Sequence, residues 1–263
     1  MRLKYIVGLA LMTSTTAYAE IATKPQMTSL GKSYLAPTEL PDSVALLPPP
    51  PAAGSKALAR DEAAQKAAVA QRGSARWKVA TDDALLFGPT ATSALSCAAG
   101  FEISPSATPK IDAILRKAAP DLALASYAAK RKYQRARPFM VNNQPNCTPE
   151  LDAVLRKDGS YPSGHSAIGY GWGLILTDIV PSHTKKLIAR GKAFGDSRRI
   201  CNVHWLSDVE AGRVVATETV KTLRAHKSYI ADIEAAKAEL KTARNTPPIR
   251  DCAAEAAALK GTK

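Results

Sequence analysis

His204 and Asp208 are the two residues whose types and spacing point most directly to chemistry. They stand four positions apart at the start of a stretch with helical character, so their side chains share one face. The carboxylate of Asp208 can then accept the Nδ1 proton of the imidazole and leave Nε2 free to attack an electrophile. Arg198, shortly before them, adds a planar guanidinium suited to phosphate oxygens. The pattern predicts a histidine nucleophile beside an anion site.

A second segment, GSYPSGHS at residues 159–166, opens another predicted helix. The unpaired backbone donors and the positive dipole end of a helix start favour an anion, which predicts a phosphate cradle at Ser163 and Gly164. His165 follows at once, and a bound phosphate would favour its protonated form, so we expect it to act as a general acid. Taken alone, the segment fits an ordinary N-cap serine equally well.

Lys130 and Arg137 form a third candidate group, seven positions apart. On one continuous helix they would lie two turns apart on the same face and converge on one ligand. Pro138 excludes the preceding residue from the helical region and turns Arg137 away from the helix surface. A basic pair of this kind is more often a solvated face, so the prediction depends on the other two groups.

The elements that must position these residues are helical. From Asp61 onward the chain is rich in Ala, Lys, Leu and Arg and poor in β-branched runs, which predicts an all-α fold. Residues 20–56 form a proline-rich segment that predicts an extended arm, and residues 57–263 predict one helical domain. We expect helices near residues 61–71, 110–117, 121–134, 163–177, 183–196, 205–224 and 229–243. We expect turns at residues 119–120, 137–138, 158–159 and 181–182.

The three groups together read K-x6-R-P, P-S-G-H and S-R-x5-H-x3-D in chain order. This joint pattern resembles the bacterial class A nonspecific acid phosphatases, in the superfamily that also contains type 2 phosphatidic acid phosphatases and vanadium haloperoxidases. The resemblance implies a single-domain helical bundle that hydrolyses phosphate monoesters without a metal or other cofactor, through a phosphohistidine. It leaves open whether the phosphoryl group also passes to alcohols. The implied catalytic residues are His204, His165 and Asp208, and the implied phosphate ligands are Lys130, Arg137, Ser163, Gly164 and Arg198.

The start of the chain and its cysteines predict export. A basic stub, a short apolar run and the exit Ala17-Tyr18-Ala19 predict a signal peptide over residues 1–19 and a periplasmic or secreted protein of a Gram-negative bacterium. Four cysteines then predict two intramolecular disulfides. Three pairings are open, and we favour Cys97 with Cys147 and Cys201 with Cys252, since each would staple a loop near the proposed site.

Charge and composition limit the classes of partner that the protein can bind, but they do not identify one partner. The net charge of +13 favours small anionic substrates. Nucleic acid is not required, because the positive charge is spread along the chain and aromatic residues that would stack bases are few. No stretch beyond the signal is long and apolar enough to span a membrane. The oligomeric state stays open, a homo-oligomer included.

Three alternative functions use the same residues. A vanadate-dependent haloperoxidase would bind vanadate with the same cations and the same histidine. A lipid phosphatase would act on phosphorylated lipids, although the missing membrane spans argue against it. A non-catalytic anion-binding protein would use the basic surface and the cradle, but would leave the spacing of His204 and Asp208 unexplained.

Overall fold

The computed structural model describes residues 32–243 and 245–260, and the predicted signal peptide lies outside them. The described residues form α- and 3-10 helices without a β-strand, which confirms the all-α prediction. None of these helices is long and apolar enough to cross a bilayer. The first seven α-helices are α1 Ser43–Leu46, α2 Lys56–Val69, α3 Ala75–Asp82, α4 Ser96–Ala99, α5 Pro109–Leu124, α6 Tyr127–Tyr133 and α7 Pro138–Asn142. The rest are α8 Asp152–Leu155, α9 Gly164–Ile179, α10 Thr184–Ile200, α11 Leu206–Ala225, α12 Lys227–Ala243 and α13 Cys252–Lys260. The 3-10 helices are Pro37–Glu39, Thr92–Leu95, Pro149–Leu151 and Pro181–His183.

Helix α9 lies at the centre of the fold and packs against α5, α10 and α11. Its glycines permit the close approach to α10, because a Cβ at Gly169 would collide with the ring of Phe194 and one at Gly173 would lie 2.9 Å from the carbonyl oxygen of Leu187. Trp172 is fully buried and donates its indole N–H to the carbonyl of Leu115 at 2.7 Å, which joins α9 to α5. The helix whose first turn carries the predicted cradle is therefore held on several sides.

The turn predicted at residues 119–120 is wrong. Pro120 lies inside α5, and the helix continues to Leu124. Ala118, Ala119, Pro120 and Leu122 are all buried, and this packing outweighs the cost of about 3 kcal/mol for an internal proline. As a result, the expected single helix over residues 121–134 is divided into the end of α5 and the separate short helix α6.

The proline-rich segment is docked on the helical body over its described part. Tyr34 and Leu35 are buried and donate their backbone N–H groups to the carboxylate of Asp121 on α5, at 2.9 and 3.2 Å. The extended conformation predicted for this arm is wrong at Pro37–Glu39 and Ser43–Leu46, which are helical.

Two disulfides join distant parts of the chain, as predicted, but with another pairing. Cys97 bonds Cys252 and Cys147 bonds Cys201. The favoured pairing is wrong because the start of α13 returns to α4, while Cys147 lies beside the end of α10 and donates its backbone N–H to the Cys201 carbonyl at 3.3 Å. The pairs lie 155 and 54 residues apart in sequence. Each disulfide restricts a long loop of the unfolded chain and so raises the free energy of unfolding by about 4 to 5 kcal/mol.

Peptide mapping of the exported protein without reductant is expected to give one linked peptide with Cys97 and Cys252 and another with Cys147 and Cys201. Replacing Cys97 and Cys252 together by serine should lower the free energy of unfolding by up to about 5 kcal/mol, measured by denaturant titration against the oxidised wild type. A peptide that links Cys97 to Cys147 would contradict this chain path.

Candidate active site

The loop between α10 and α11 carries His204 and is tied to its neighbours on both sides. The backbone N–H groups of Val203 and His204 donate to the carbonyl of Arg198 at 3.1 and 3.3 Å. Asn202 adopts a left-handed conformation with φ of 61°, and its side-chain amide donates to the carbonyl of Gln144 at 2.9 Å. The disulfide at Cys201 adds a covalent tie. These contacts fix the distance between Arg198 and His204 that the S-R-x5-H spacing encodes.

The imidazole of His204 is buried, with 3% of the residue exposed. Its Nε2 lies 3.1 Å from Nη1 of Arg137. A guanidinium can only donate, so Nε2 is the acceptor and a neutral ring carries its proton on Nδ1. Burial lowers the pKa of His204 well below its ordinary value, and Arg137, Lys130 and Arg198 lower it further. Burial and the neighbouring cations therefore favour the neutral ring of His204, whose lone pair is on Nε2.

Asp208 faces the other ring nitrogen from the first turn of α11. Its Oδ2 lies 3.4 Å from Nδ1 of His204, which is long for a hydrogen bond. The same oxygen accepts the backbone N–H of Trp205 at 2.8 Å, and Oδ1 accepts Nη1 of Arg135 at 2.7 Å. Burial raises the pKa of the Asp208 carboxyl, and Arg135 opposes that rise. The carboxylate is thus placed to orient His204, with Arg135 as its direct cationic neighbour.

Lys130, Arg137 and Arg198 bring positive charge to the same place, and each is at most 3% exposed. Burial, and then Arg137, lowers the pKa of Arg198 to about 9, and burial lowers that of Lys130 to about 8. Both remain protonated at acidic and neutral pH. Nε and Nη1 of Arg198 are buried without a hydrogen-bond partner in the described chain. Unpaired buried donors of a cation are costly, so this guanidinium is arranged for an anion.

Lys130 and Arg137 do not share a helix, contrary to the prediction. Helix α6 ends at Tyr133, Gln134 follows with φ of 42°, and Arg137 is the N-cap of α7. The two cations meet at Oδ2 of Asp158, which lies 3.1 Å from Nζ of Lys130 and 2.9 Å from Nη2 of Arg137. A carboxylate between them, and not a helical face, makes them converge.

The start of α9 carries Ser163 and Gly164, the residues of the predicted cradle. Ser163 caps the helix by accepting the backbone N–H of Ser166 on its Oγ at 3.2 Å, and it donates its own N–H to the Asp208 carbonyl at 2.9 Å. A Cβ at Gly212 would collide with the Ser163 carbonyl, so glycine is needed where α11 passes. The N–H groups of Gly164 and His165 have no partner among the described residues. Two backbone donors are left for an anion.

His165 lies beside the cradle. Its Nε2 is 3.2 Å from the carbonyl oxygen of Ala84, which can only accept, so Nε2 carries a proton and Nδ1 is the acceptor of the neutral ring. Burial lowers the pKa of His165 well below its ordinary value, and the charge of Arg198 lowers it further. Burial and Arg198 therefore favour the neutral form of His165.

Three residues of this site were not predicted from the sequence. Asp158 directly precedes the GSYPSGHS segment and Arg135 stands two positions before Arg137. Their closeness in sequence to predicted site residues marks both as candidates for the site. Asp61 lies on α2, far away in sequence, and contacts Arg135 at 2.7 Å. No local pattern marks Asp61.

Comparison with known proteins finds relatives that are named acid phosphatases. The PAP2 superfamily matches residues 118–226. A "Non-specific acid phosphatase" of Providencia stuartii is 38% identical over 221 residues, 84% of this chain and 87% of the relative. An "Acid phosphatase" of Zymomonas mobilis subsp. mobilis is 36% identical over 205 residues, 78% of each chain. A "Non-specific acid phosphatase" of Salmonella typhimurium is 36% identical over 216 residues, 81% of this chain and 85% of the relative.

Asp158→Asn is expected to tighten the binding of inorganic phosphate by about tenfold, because it removes a negative charge that competes for Lys130 and Arg137 at short range. Titration calorimetry at mildly acidic pH, where Lys130 stays protonated, measures the affinity. Glu150→Gln is the matched control, since Glu150 is an exposed carboxylate in the preceding 3-10 helix. Weaker phosphate binding in Asp158→Asn would mean that this carboxylate organises the cations and does not compete with the ligand.

Proposed function

Because the chain belongs to the PAP2 superfamily and matches bacterial non-specific acid phosphatases over most of its length, we infer that it is an acid phosphatase, a hydrolase of phosphate monoesters. The observation that carries this inference at the site is the arrangement around Nε2 of His204. A neutral imidazole points its lone pair at a guanidinium, while the guanidinium of Arg198 is buried with donors that lack a partner. The oxygens of a bound phosphate group would accept the unpaired donors of Arg198, and its phosphorus atom would face the lone pair of His204.

In the first proposed step, Nε2 of His204 attacks the phosphorus atom of a bound monoester. The bond from nitrogen to phosphorus forms while the bond from phosphorus to the leaving oxygen breaks, and the product is a phosphohistidine with a released alcohol. Asp208 stabilises the proton on Nδ1, so that the attacking nitrogen is the right one. Lys130, Arg137 and Arg198, with Ser163 and the N–H of Gly164, hold the equatorial oxygens as charge spreads over them.

His165 supplies the proton for the leaving oxygen in this proposal. A bound phosphate offsets the charge of Arg198, which lowers the pKa of His165 in the free protein, and so favours the protonated imidazole. After the alcohol leaves, the neutral ring takes a proton from the water that attacks the phosphohistidine. Hydrolysis of that bond regenerates neutral His204 and releases inorganic phosphate. An alcohol in place of the water would give phosphoryl transfer.

The charges of the site support a mechanism without a divalent metal ion. Three buried cations face the place where a metal would neutralise the phosphoryl oxygens. The described residues contain no group of three or more His, Cys, Asp or Glu side chains that could hold a metal. We therefore propose that the side chains themselves provide the electrostatic stabilisation.

The cysteines indicate in which cellular compartment the enzyme acts. The two disulfides fit an extracytoplasmic protein. Beyond this, we propose that a signal peptide ending at Ala19 directs the enzyme to the periplasm, where small organic phosphate monoesters are its substrates.

His204→Ala is expected to abolish turnover and phosphoenzyme together, because the nucleophile is gone. His165→Ala should still form phosphoenzyme from p-nitrophenyl phosphate, whose leaving group needs little protonation, and should then accumulate it because water lacks its general base. Rapid-quench labelling with radioactive phosphate ester, in the presence of EDTA, measures both. The label should be acid-labile and base-stable.

Three results would contradict this mechanism. Label that survives in His204→Ala, or that maps to a serine, would show that another residue is the nucleophile. Turnover that disappears in EDTA and returns with a divalent ion would show that the cations are not sufficient. His226→Ala is the control variant, since His226 lies at the end of α11 beside Tyr34 and should label as the wild type does.

Export is expected to yield a mature protein that begins at Glu20, since the small-residue exit precedes it. Intact mass of the protein from the periplasmic fraction measures this. An unprocessed chain in the cytoplasmic fraction would contradict the proposed location.

A further inference from the structure

Arg135 bridges two buried carboxylates of different helices. Its Nη1 donates to Oδ1 of Asp208 and its Nη2 to Oδ2 of Asp61, both at 2.7 Å. The side chain of Arg135 is 10% exposed, and those of Asp208 and Asp61 are 0% and 1% exposed. Short charge-assisted hydrogen bonds to the planar guanidinium hold both carboxylates in place and favour their ionised forms. The contact therefore belongs to the interior of the protein and not to a screened surface.

Asp61 anchors this bridge to α11 as well. Its Oδ1 accepts the backbone N–H of Ser207 at 2.8 Å, and its Oδ2 accepts the hydroxyl of Ser207 at 2.6 Å. Ser207 directly precedes Asp208 in the first turn of α11. Asp61 lies on α2, outside residues 118–226 that the PAP2 superfamily matches. The N-terminal part of the chain thus contacts the site through Asp61 as well as through the Ala84 carbonyl.

Besides Arg135, hydrogen bonds from the Trp205 N–H and the Ser160 side chain favour the ionised form of Asp208, and both donors are neutral. The ionisable groups that face it are Arg135, His204, Arg137, Lys130 and Tyr161. His204 favours its neutral form, Tyr161 is not a cation, and Arg137 and Lys130 have Asp158 as a nearer carboxylate. Arg135 is the cation in direct contact with Asp208 among the described residues. A buried carboxylate that loses such a partner is strongly disfavoured and takes up a proton more readily.

We propose that Arg135 and Asp61 are positioning residues of the active site, in which Arg135 keeps Asp208 ionised against His204 and Asp61 fixes Arg135 and the first turn of α11. This inference rests on the proposed function, since it concerns how the nucleophile is oriented. A protonated Asp208 could not stabilise the Nδ1 proton, and His204 would then lose the tautomer that leaves Nε2 free. Neither positioning residue touches the substrate.

The test compares Arg135→Gln, Arg135→Lys and Asp61→Asn with Arg60→Gln as the matched control. Arg60 is the neighbour of Asp61 on α2 and also pairs with α11, through Glu210, but that pair is exposed. Arg135→Gln is expected to lower kcat by about tenfold to a hundredfold, as when a partner of a catalytic ligand is removed, with KM little changed. The acid limb of its kcat profile should move up by about one pH unit, because Asp208 then protonates more readily.

The other variants separate charge from position. Arg135→Lys keeps the charge, so its acid limb should stay at the wild-type pH while kcat falls less. Asp61→Asn should lower kcat several-fold without an upward shift of the acid limb, since Arg135 still faces Asp208. In the Arg135→Gln background, Asp61→Asn should have little further effect on kcat, because the two residues act as one unit. Arg60→Gln should match the wild type in both readouts.

A second readout does not depend on turnover. In the 15N-labelled mature protein, with His204→Ala used for assignment, His204 should carry its proton on Nδ1 in the wild type and lose this tautomer at a higher pH in Arg135→Gln. An unchanged acid limb or tautomer in Arg135→Gln overturns the inference. If that variant does not fold, a shifted acid limb in Arg135→Lys overturns it. Absence of turnover in the wild type would refute the proposed function alone, and the tautomer would still decide the role of Arg135.

Discussion

The structure depends on holding three cations beside a histidine in the buried interior of the protein. Each buried charge costs free energy unless it is paired, and Lys130, Arg137 and Arg198 are almost wholly buried. Asp158 compensates two of them, whereas Arg198 keeps donors without a partner. The rest of the fold must supply the free energy that tolerates this arrangement. A rigid frame is needed, because a mobile one would let water or other side chains satisfy the free donors.

The frame consists of the central helix α9 and of the contacts that hold the start of α9 and the loop of His204 in place. Glycines let α9 pack closely on α10 and α11. The Ser163 N–H donates to the Asp208 carbonyl and so ties the start of α9 to the first turn of α11. The disulfide at Cys201 and the contacts of Asn202 hold the His204 loop. The N-terminal segment also takes part, since Asp61 on α2 reaches Arg135. The site thus extends beyond the part of the chain that the superfamily matches.

Short sequence motifs predict which residues lie close together at this site better than they predict the long-range packing of the helices. The N-cap at Ser163 follows from helix geometry, which the sequence carries within a few residues. His204 stands before Trp205, the N-cap of α11, so it faces Asp208 from the preceding loop and the two are not a pair on one helical face. The turn at Pro120 was wrong because burial against other helices outweighs the local preference of proline. Lys130 and Arg137 lie close together because both contact Asp158, and the predicted shared helical face is wrong. The cysteine pairing depends on where α13 returns, which no local pattern encodes.

Charge balance relates the charge of a bound phosphate ester to the protonation of His165. The unliganded site holds four cations, with Arg135 included, and three carboxylates, Asp61, Asp158 and Asp208, which leaves one positive unit while both histidines are neutral. A phosphate monoester that enters as a monoanion cancels this excess, and a dianion leaves one negative unit. The second case favours a proton on His165, which is the form that protonates a leaving oxygen. Burial and the charge of Arg198 disfavour that proton when no phosphate group is nearby. The lowered pKa of His165 is therefore compatible with the proposed role as an acid, because the charge of a bound substrate would favour the protonated ring.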